Sequence, residues 1–163
     1  MESRSERRDI LIYEFTIPGK PTGKGRPRFT KNGHAFTPEA TANYENLVKV
    51  CFYEQNRDDE PIKPIAPKTP IVAMITAYYP IPQSTSKKQR DRMTAALVFP
   101  TVKPDTDNIA KCILDALNGI AYYDDAQIML LIVWKRYSDE PRVSVKIMDY
   151  AAYLKICAVG DDA

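Results

Sequence analysis

The stretch IVAMITAYY, at residues 71–79, constrains the fold of this chain more than any other feature. β-branched and aromatic residues dominate it, and these residues favour the pleated surface of a β-sheet. Pro80 and Pro82 follow at once, and proline cannot donate the backbone hydrogen bond that the interior of a sheet requires. The chain is therefore predicted to contain a sheet in which this strand is well buried.

Three further segments have the patterns of strands. ILIYEFTI, at residues 10–17, alternates in the two-residue period of a half-buried strand. QIMLLIVWKRY and RVSVKIMDY, at residues 127–137 and 142–150, flank the turn sequence SDEP. We expect these two segments to form an antiparallel hairpin whose first strand is buried on both faces, because its apolar run is nearly continuous.

Three segments between these strands have the signals of helices. Pro38 suits the first helical position of a segment that runs to about residue 55, and STSKKQRDRMTAA, at 84–96, begins with residues that cap a short helix. Residues 107–120 place apolar side chains on one face and polar side chains on the other. The order of elements predicts a single α+β domain, a small mixed β-sheet with helices packed against it. The domain spans residues 1–163, with a core at roughly 10–148 and tails at 1–9 and 150–163.

The composition is that of an ordinary globular protein, with 44% apolar and 27% charged residues. No apolar run approaches the roughly 20 residues of a membrane span, and the opening MESRSERRD does not resemble a signal peptide. We therefore expect a cytoplasmic protein with no membrane partner. Cys51, Cys112 and Cys157 lack any CxxC spacing, which indicates neither a disulfide framework nor a zinc site.

The charges are distributed unevenly, although the formal net charge is only +2. Residues 19–36 hold five Lys or Arg and no acid, and residues 84–96 form a second positive patch, whereas residues 103–125 hold five Asp against two Lys. Basic surfaces attract a polyanion but carboxylates repel it. Divalent cations bound to the carboxylates would remove this repulsion. We predict phosphate contacts from the following basic residues: Lys20, Lys24, Arg26, Arg28, Lys31, Lys87, Lys88, Arg90 and Lys103.

The acidic residues around the third helix have two interpretations. Asp105 and Asp107 stand where a helix begins, so they could cap the helix, and Asp107 could pair with Lys111 one turn later. Alternatively, Asp124 and Asp125 open the next strand, from which their side chains could point back toward the helix entrance. In that case the two acidic pairs would form the rim of a metal site.

Oxygen ligands of this kind favour a hard cation such as Mg²⁺, with Mn²⁺ as a substitute. The chain has one histidine, His34, in the basic loop, so histidine-based catalysis and zinc are poorly supported. Carboxylates that hold divalent ions among basic patches suit phosphodiester hydrolysis. Lys111 would then orient the nucleophile or neutralise the phosphate.

With these residues the sequence resembles the RusA-type Holliday junction resolvases, which are often encoded by prophages. The resemblance is carried by KPDTDNIAKCILDALNG and YYDDAQI, and by FTIPGKPTGKGRPR near the N-terminus, and it covers roughly residues 10–148. It implies that Asp105, Asp107 and Asp125 are metal-binding, catalytic aspartates and that Lys111 is functionally important. Asp124 is a second-choice ligand.

The resemblance also implies a homodimer that makes paired nicks across a four-way DNA junction with Mg²⁺. Two alternatives stay open at this point: a non-catalytic protein that binds branched DNA and uses its aspartates only as helix caps, and a less selective DNA nickase or flap nuclease.

Overall fold

A computed structural model gives the fold and describes residues 11–26, 28–57 and 61–159. The predicted tail at residues 1–9 lies outside these ranges. The helices and strands are β1 Ile12–Pro18, β2 Arg28–Phe29, β3 Ala35–Phe36, α1 Glu39–Asn56, β4 Ile71–Pro80, α2 Lys87–Thr94, α3 Thr106–Leu117, β5 Ile128–Ser138, β6 Arg142–Asp149 and α4 Tyr150–Val159. A short 3₁₀ turn, Asp125–Gln127, precedes β5.

The described residues form a four-stranded sheet in the order β1-β6-β4-β5, with β2 and β3 as a separate small ribbon. β6 pairs antiparallel with both β1 and β4, whereas β4 pairs parallel with β5. A parallel pair needs a long crossover between its strands, and here α2 and α3 provide it. The prediction of an α+β fold with a mixed sheet is confirmed.

The predicted hairpin of β5 and β6 is wrong. Both strands form, but β4 lies between them, so that β5 becomes an edge strand. β5 is also not buried on both faces, since Met129, Leu131 and Trp134 are 51%, 44% and 58% exposed. An apolar run specifies a strand, but it does not specify which neighbour that strand will pair with.

The main core lies on one face of the sheet, beneath α1 and α3. Phe52 of α1 is fully buried and makes edge-to-face contacts with the rings of Tyr13 and Phe15 on β1. The apolar face of α3 is buried in the same core, as its amphipathic pattern predicts. This packing fixes the position of α3 relative to the sheet.

The opposite face of the sheet is covered at one end by α4. Ala152 of this helix packs on Val72 and Met148. The chain after residue 149 is therefore helical over 150–159 and packed on the sheet, as far as it is described. None of the helices in the described ranges is long and apolar enough to cross a membrane.

Candidate functional site

Two carboxylates stand at the start of α3. Asp105 occupies the cap position, where its backbone carbonyl accepts a hydrogen bond from Ile109 N at 3.1 Å, but its side chain makes no capping hydrogen bond. Asp107 is exposed in the first turn, and no ion pair joins it to Lys111 among the described residues. No side-chain hydrogen bond or ion pair among the described residues therefore supports the capping interpretation. Both carboxylates are exposed to solvent.

The loop before α3 is held at the carboxyl ends of β4 and β5. Tyr79 Oη donates a hydrogen bond to Pro104 O at 2.9 Å, and Lys135 Nζ donates to Val102 O and to Pro104 O. The Lys103–Pro104 peptide bond is cis. Burial, with the nearby Asp105 carboxylate, raises the pKa of Tyr79 to about 12, so the phenol stays a donor at neutral pH.

The glycine-rich basic loop docks against the same helix start. Lys24 N donates a hydrogen bond to Asn108 O at 2.9 Å. A Cβ atom on Gly23 would lie 2.8 Å from Pro104 Cβ, a separation that packed carbon atoms do not reach. Glycine is therefore required here for the loop to approach α3. The structure brings the basic loop and the two carboxylates together.

The ammonium group of Lys24 is engaged within the chain. It lies 2.5 Å from Glu45 on α1 and 2.9 Å from Asp115 on α3, and all three side chains are partly buried. Burial opposes the charged form, but these two carboxylates outweigh it and raise the pKa of Lys24. Lys24 thus joins the basic loop to α1 and α3. Its predicted contact with DNA stays a prediction.

The other predicted phosphate-binding residues differ in their surroundings. Arg90 of α2 forms an ion pair with Asp139 in the turn after β5, and the side chain of Arg28 is outside the described part of the structure. The remaining predicted basic residues are exposed and form no ion pair with any described residue. They are Lys20, Arg26, Lys31, Lys87, Lys88 and Lys103.

Asp124 and Asp125 do not begin the strand, as the sequence suggested, but form the 3₁₀ turn before it. Asp124 Oδ1 accepts a hydrogen bond from Ala126 N at 2.8 Å, and Gln127 Oε1 accepts one from Asp124 N at 3.1 Å. Gln127 Nε2 donates to Ala66 O at 2.8 Å. These bonds hold the turn at the amino ends of β4 and β5, and Asp125 is exposed there.

The two acidic pairs are therefore at opposite ends of α3. This helix has 12 residues, so it is about 18 Å long. The expectation that Asp124 and Asp125 point back to the helix entrance is wrong, because β5 starts at the far end of the crossover. Within the described ranges, no three His, Cys, Asp or Glu side chains are close enough together to hold a metal ion.

The donors at the start of α3 suit a hard cation, since both are carboxylates in open solvent. One chain alone, however, brings only Asp105 and Asp107 to that position. The four aspartates of the predicted site do not form a complete ligand set within one copy. Whether they act in a metal site stays a prediction.

A pocket of about 370 Å³ lies beside the carboxylates. It is lined by Phe99, Thr106, Val133, Trp134 and Lys135. Phe99 and Trp134 could not be predicted as site residues, because apolar residues within or near a strand are usually core residues. Their one distinguishing property, exposure of 54% and 58%, is visible only in the structure.

Comparison with known proteins gives two matches. The family described as Endodeoxyribonuclease RusA matches residues 18–148. The chain is also 37% identical over 144 residues to Uncharacterized protein YqaN of Bacillus subtilis (strain 168), which covers 85% of this chain and 97% of that protein. The family match includes the basic loop, α3 and the turn that holds Asp124 and Asp125.

We predict that Lys24→Met lowers the free energy of unfolding by about 1 kcal/mol, because Glu45 and Asp115 lose the cation that lies between them. Urea denaturation followed by circular dichroism measures this change. Lys20→Met is the matched control, since Lys20 is exposed on the same loop; its substitution should change stability by at most about 0.5 kcal/mol. Equal stabilities of the two variants would contradict the structural role of Lys24.

Proposed function

Because the chain belongs to the RusA family of endodeoxyribonucleases, we propose that it cuts branched DNA. The substrate we propose is the four-way junction, which the enzyme resolves by hydrolysing two phosphodiester bonds in symmetric strands. Mg²⁺ is the proposed cofactor, and Mn²⁺ a substitute. A protein that acts on recombining DNA would work in the cytoplasm of a bacterial cell.

One observation carries this proposal: the basic loop, α2 and the start of α3 all lie at the carboxyl ends of β4 and β5. Gly19 N donates a hydrogen bond to Pro141 O at 3.1 Å, Arg90 pairs with Asp139, and Lys24 N bonds to Asn108 O. Segments that carry exposed lysines therefore lie at the same end of the sheet as the carboxylates of Asp105 and Asp107. Ligands of α/β folds commonly bind at this end of the parallel strands.

The residues of the chain have distinct proposed roles. The exposed lysines of the loop and α2 hold the DNA backbone, and the positive end of the α3 dipole favours a phosphate near Asp105. Lys111, one turn along the same exposed stripe, neutralises charge on the phosphate. A divalent ion, when bound, would activate water and stabilise charge on the phosphate. Asp105 and Asp107 are its proposed ligands at this end of the sheet.

The homodimer is proposed on the symmetry of the substrate, since a four-way junction has an approximate two-fold axis and two-fold dimers are the commonest oligomers. Two identical sites related by that axis would make the paired cuts. A nickase or flap nuclease needs no such pairing, so relative rates on four-way, flap and linear DNA separate it from a junction-resolving enzyme.

We predict that Asp107→Asn abolishes cleavage of a synthetic four-way junction in Mg²⁺ while the protein still folds and binds the junction. The change keeps the shape of the side chain but removes its charge, and the Asp107 side chain caps no helix in the structure. Asp125→Asn should behave in the same way. Gel assays of cleavage and binding, with circular dichroism for the fold, measure these outcomes.

Asp91→Asn is the matched control, because Asp91 is an exposed carboxylate on α2 that has no proposed role in cleavage. It should cut at the wild-type rate. Cleavage by Asp107→Asn at that same rate would rule out its proposed role. A wild-type protein that binds the junction in Mg²⁺ but leaves every strand intact would favour the non-catalytic binding protein.

We also predict that Lys87→Gln combined with Lys88→Gln reduces the salt dependence of junction binding. The slope of log K against log salt concentration should fall by about one unit for each phosphate that the two lysines neutralise in the wild-type protein. Lys155→Gln is the control, because Lys155 is exposed on α4, at the other end of the sheet. If the α2 variant kept the wild-type slope, this patch would not contact phosphate.

A further inference from the structure

The pocket beside the start of α3 has no part in the roles proposed so far. Thr106, which stands between Asp105 and Asp107 in the sequence, is one of its five lining residues. A group in this pocket is therefore next to the carboxylates that are proposed to hold the metal ion. The inference drawn from this position rests on the proposed function, since DNA held for cleavage at Asp105 and Asp107 brings its nucleotides to the mouth of the pocket.

The pocket offers an aromatic ring and little charge. Phe99 is 54% exposed although it lines the pocket. The one charged lining residue is Lys135, and its ammonium group donates hydrogen bonds to Val102 O and Pro104 O. A phosphate therefore finds no uncommitted cation among these lining residues, whereas a flat apolar group finds a ring on which it can stack.

The wall on the β5 side adds polar groups. Residues 133–135 belong to an edge strand whose outer side has no neighbouring strand among the described residues. An edge strand presents unpaired backbone N–H and C=O groups, and the exposed Thr106 carries a hydroxyl that can donate and accept a hydrogen bond. The pocket thus combines a stacking surface with hydrogen-bonding groups. A nucleobase has the complementary features, an aromatic face and a polar edge.

The walls of the pocket are held in place by contacts within the chain. Tyr79 Oη donates a hydrogen bond to Pro104 O at 2.9 Å, and Lys135 Nζ bonds to the same carbonyl oxygen. The ammonium group also lies 4.9 Å from the centre of the Tyr79 ring. These contacts fix the segment before α3 against β4 and β5. A site that is formed in advance loses less conformational entropy when a ligand binds.

We propose that the pocket receives one unpaired base of the DNA strand that is cut, with the face of the base against the Phe99 ring. A base inside a duplex is stacked on both faces and paired at its edge, so that its extrusion costs free energy. A base that is already unpaired at a branch point costs the least. The pocket thereby favours branched DNA over linear DNA at the proposed nuclease site.

Phe99, rather than Trp134, is the stacking residue. Side chains alternate between the two faces of a strand. Val133 packs against the main core beneath α3, so the side chain of Trp134 starts from the opposite face of the sheet. Phe99 lies in the segment that joins α2 to α3, on the side of the proposed nuclease site.

Substitutions of Phe99 test this site when binding is measured by fluorescence anisotropy in EDTA, so that no strand is cut. Phe99→Ala and Phe99→Leu should each weaken binding to a four-way junction about tenfold, the loss expected for one base–aromatic stack. Binding to a linear duplex should stay at the wild-type affinity. Phe99→Tyr keeps the ring and should bind the junction as the wild type does.

Leu97→Ala is the matched control, because Leu97 is 66% exposed on the same segment but does not line the pocket. It should leave both affinities unchanged. Wild-type affinity of Phe99→Leu for the junction, or an equal loss on linear duplex, would overturn the proposal. So would a dimeric wild type that Phe99→Ala converts to a monomer in sedimentation, since the pocket would then contact a second copy of the chain.

Photocrosslinking locates the contact directly. Junctions that carry 5-iodouracil at single positions next to the branch point are irradiated with the wild-type protein in EDTA, and mass spectrometry identifies the crosslinked residue. We expect a crosslink at Phe99 from the junction and none there from the same base within a linear duplex. Crosslinks confined to other residues would contradict the site.

These measurements separate the pocket from the proposed function. A wild-type protein that cuts the junction in Mg²⁺, with Phe99→Leu equal to it in both cleavage and binding, would contradict the base site and leave the nuclease function standing. A wild-type protein that cuts no DNA, but whose binding of single-stranded DNA needs the ring of Phe99, would contradict the nuclease function and support the base site.

Discussion

The parallel pairing of β4 with β5 determines where every functional group of this protein lies. A parallel pair requires a crossover, and the crossover sends α3 back along the sheet from the carboxyl ends of the strands to their amino ends. Asp105 must then lie at one end of the sheet and Asp125 at the other. The same pairing leaves β5 at the edge of the sheet. The parallel pairing of β4 with β5 thus explains both the separation of Asp105 from Asp125 and the position of β5 at the edge of the sheet.

The basic loop depends on a second constraint, its close packing against the start of α3. Gly23 leaves the space that Pro104 occupies, and Lys24 neutralises Glu45 and Asp115, which would otherwise face each other without a cation. These contacts therefore hold the basic loop, which carries the exposed Lys20, against the start of α3. Positive and negative groups are placed next to each other by packing, before any DNA or metal ion binds.

The sequence predicts local structure better than it predicts pairing. The four strands of the main sheet, the helices α1 and α3 and the cap that Ser86 provides for α2 follow from local patterns. The β2–β3 ribbon and α4 were not predicted. The partner of β5 could not be predicted, because strand order depends on contacts between distant segments. The capping role of Asp124 could not be predicted, because an acidic pair in a turn is equally compatible with a metal ligand and with a helix cap. The partners of Lys24 lie 21 and 91 residues away in the chain, beyond any local pattern.

A crystal structure of the protein soaked in Mn²⁺, with the ions located by anomalous scattering, tests the proposed metal site most directly. We expect an ion to lie at the start of α3, where Asp105 and Asp107 are exposed. A carboxylate oxygen of Asp107 should coordinate it at roughly 2.1 Å. Crystals that bind Mn²⁺ elsewhere, or nowhere, and leave Asp105 and Asp107 without an ion would contradict this assignment.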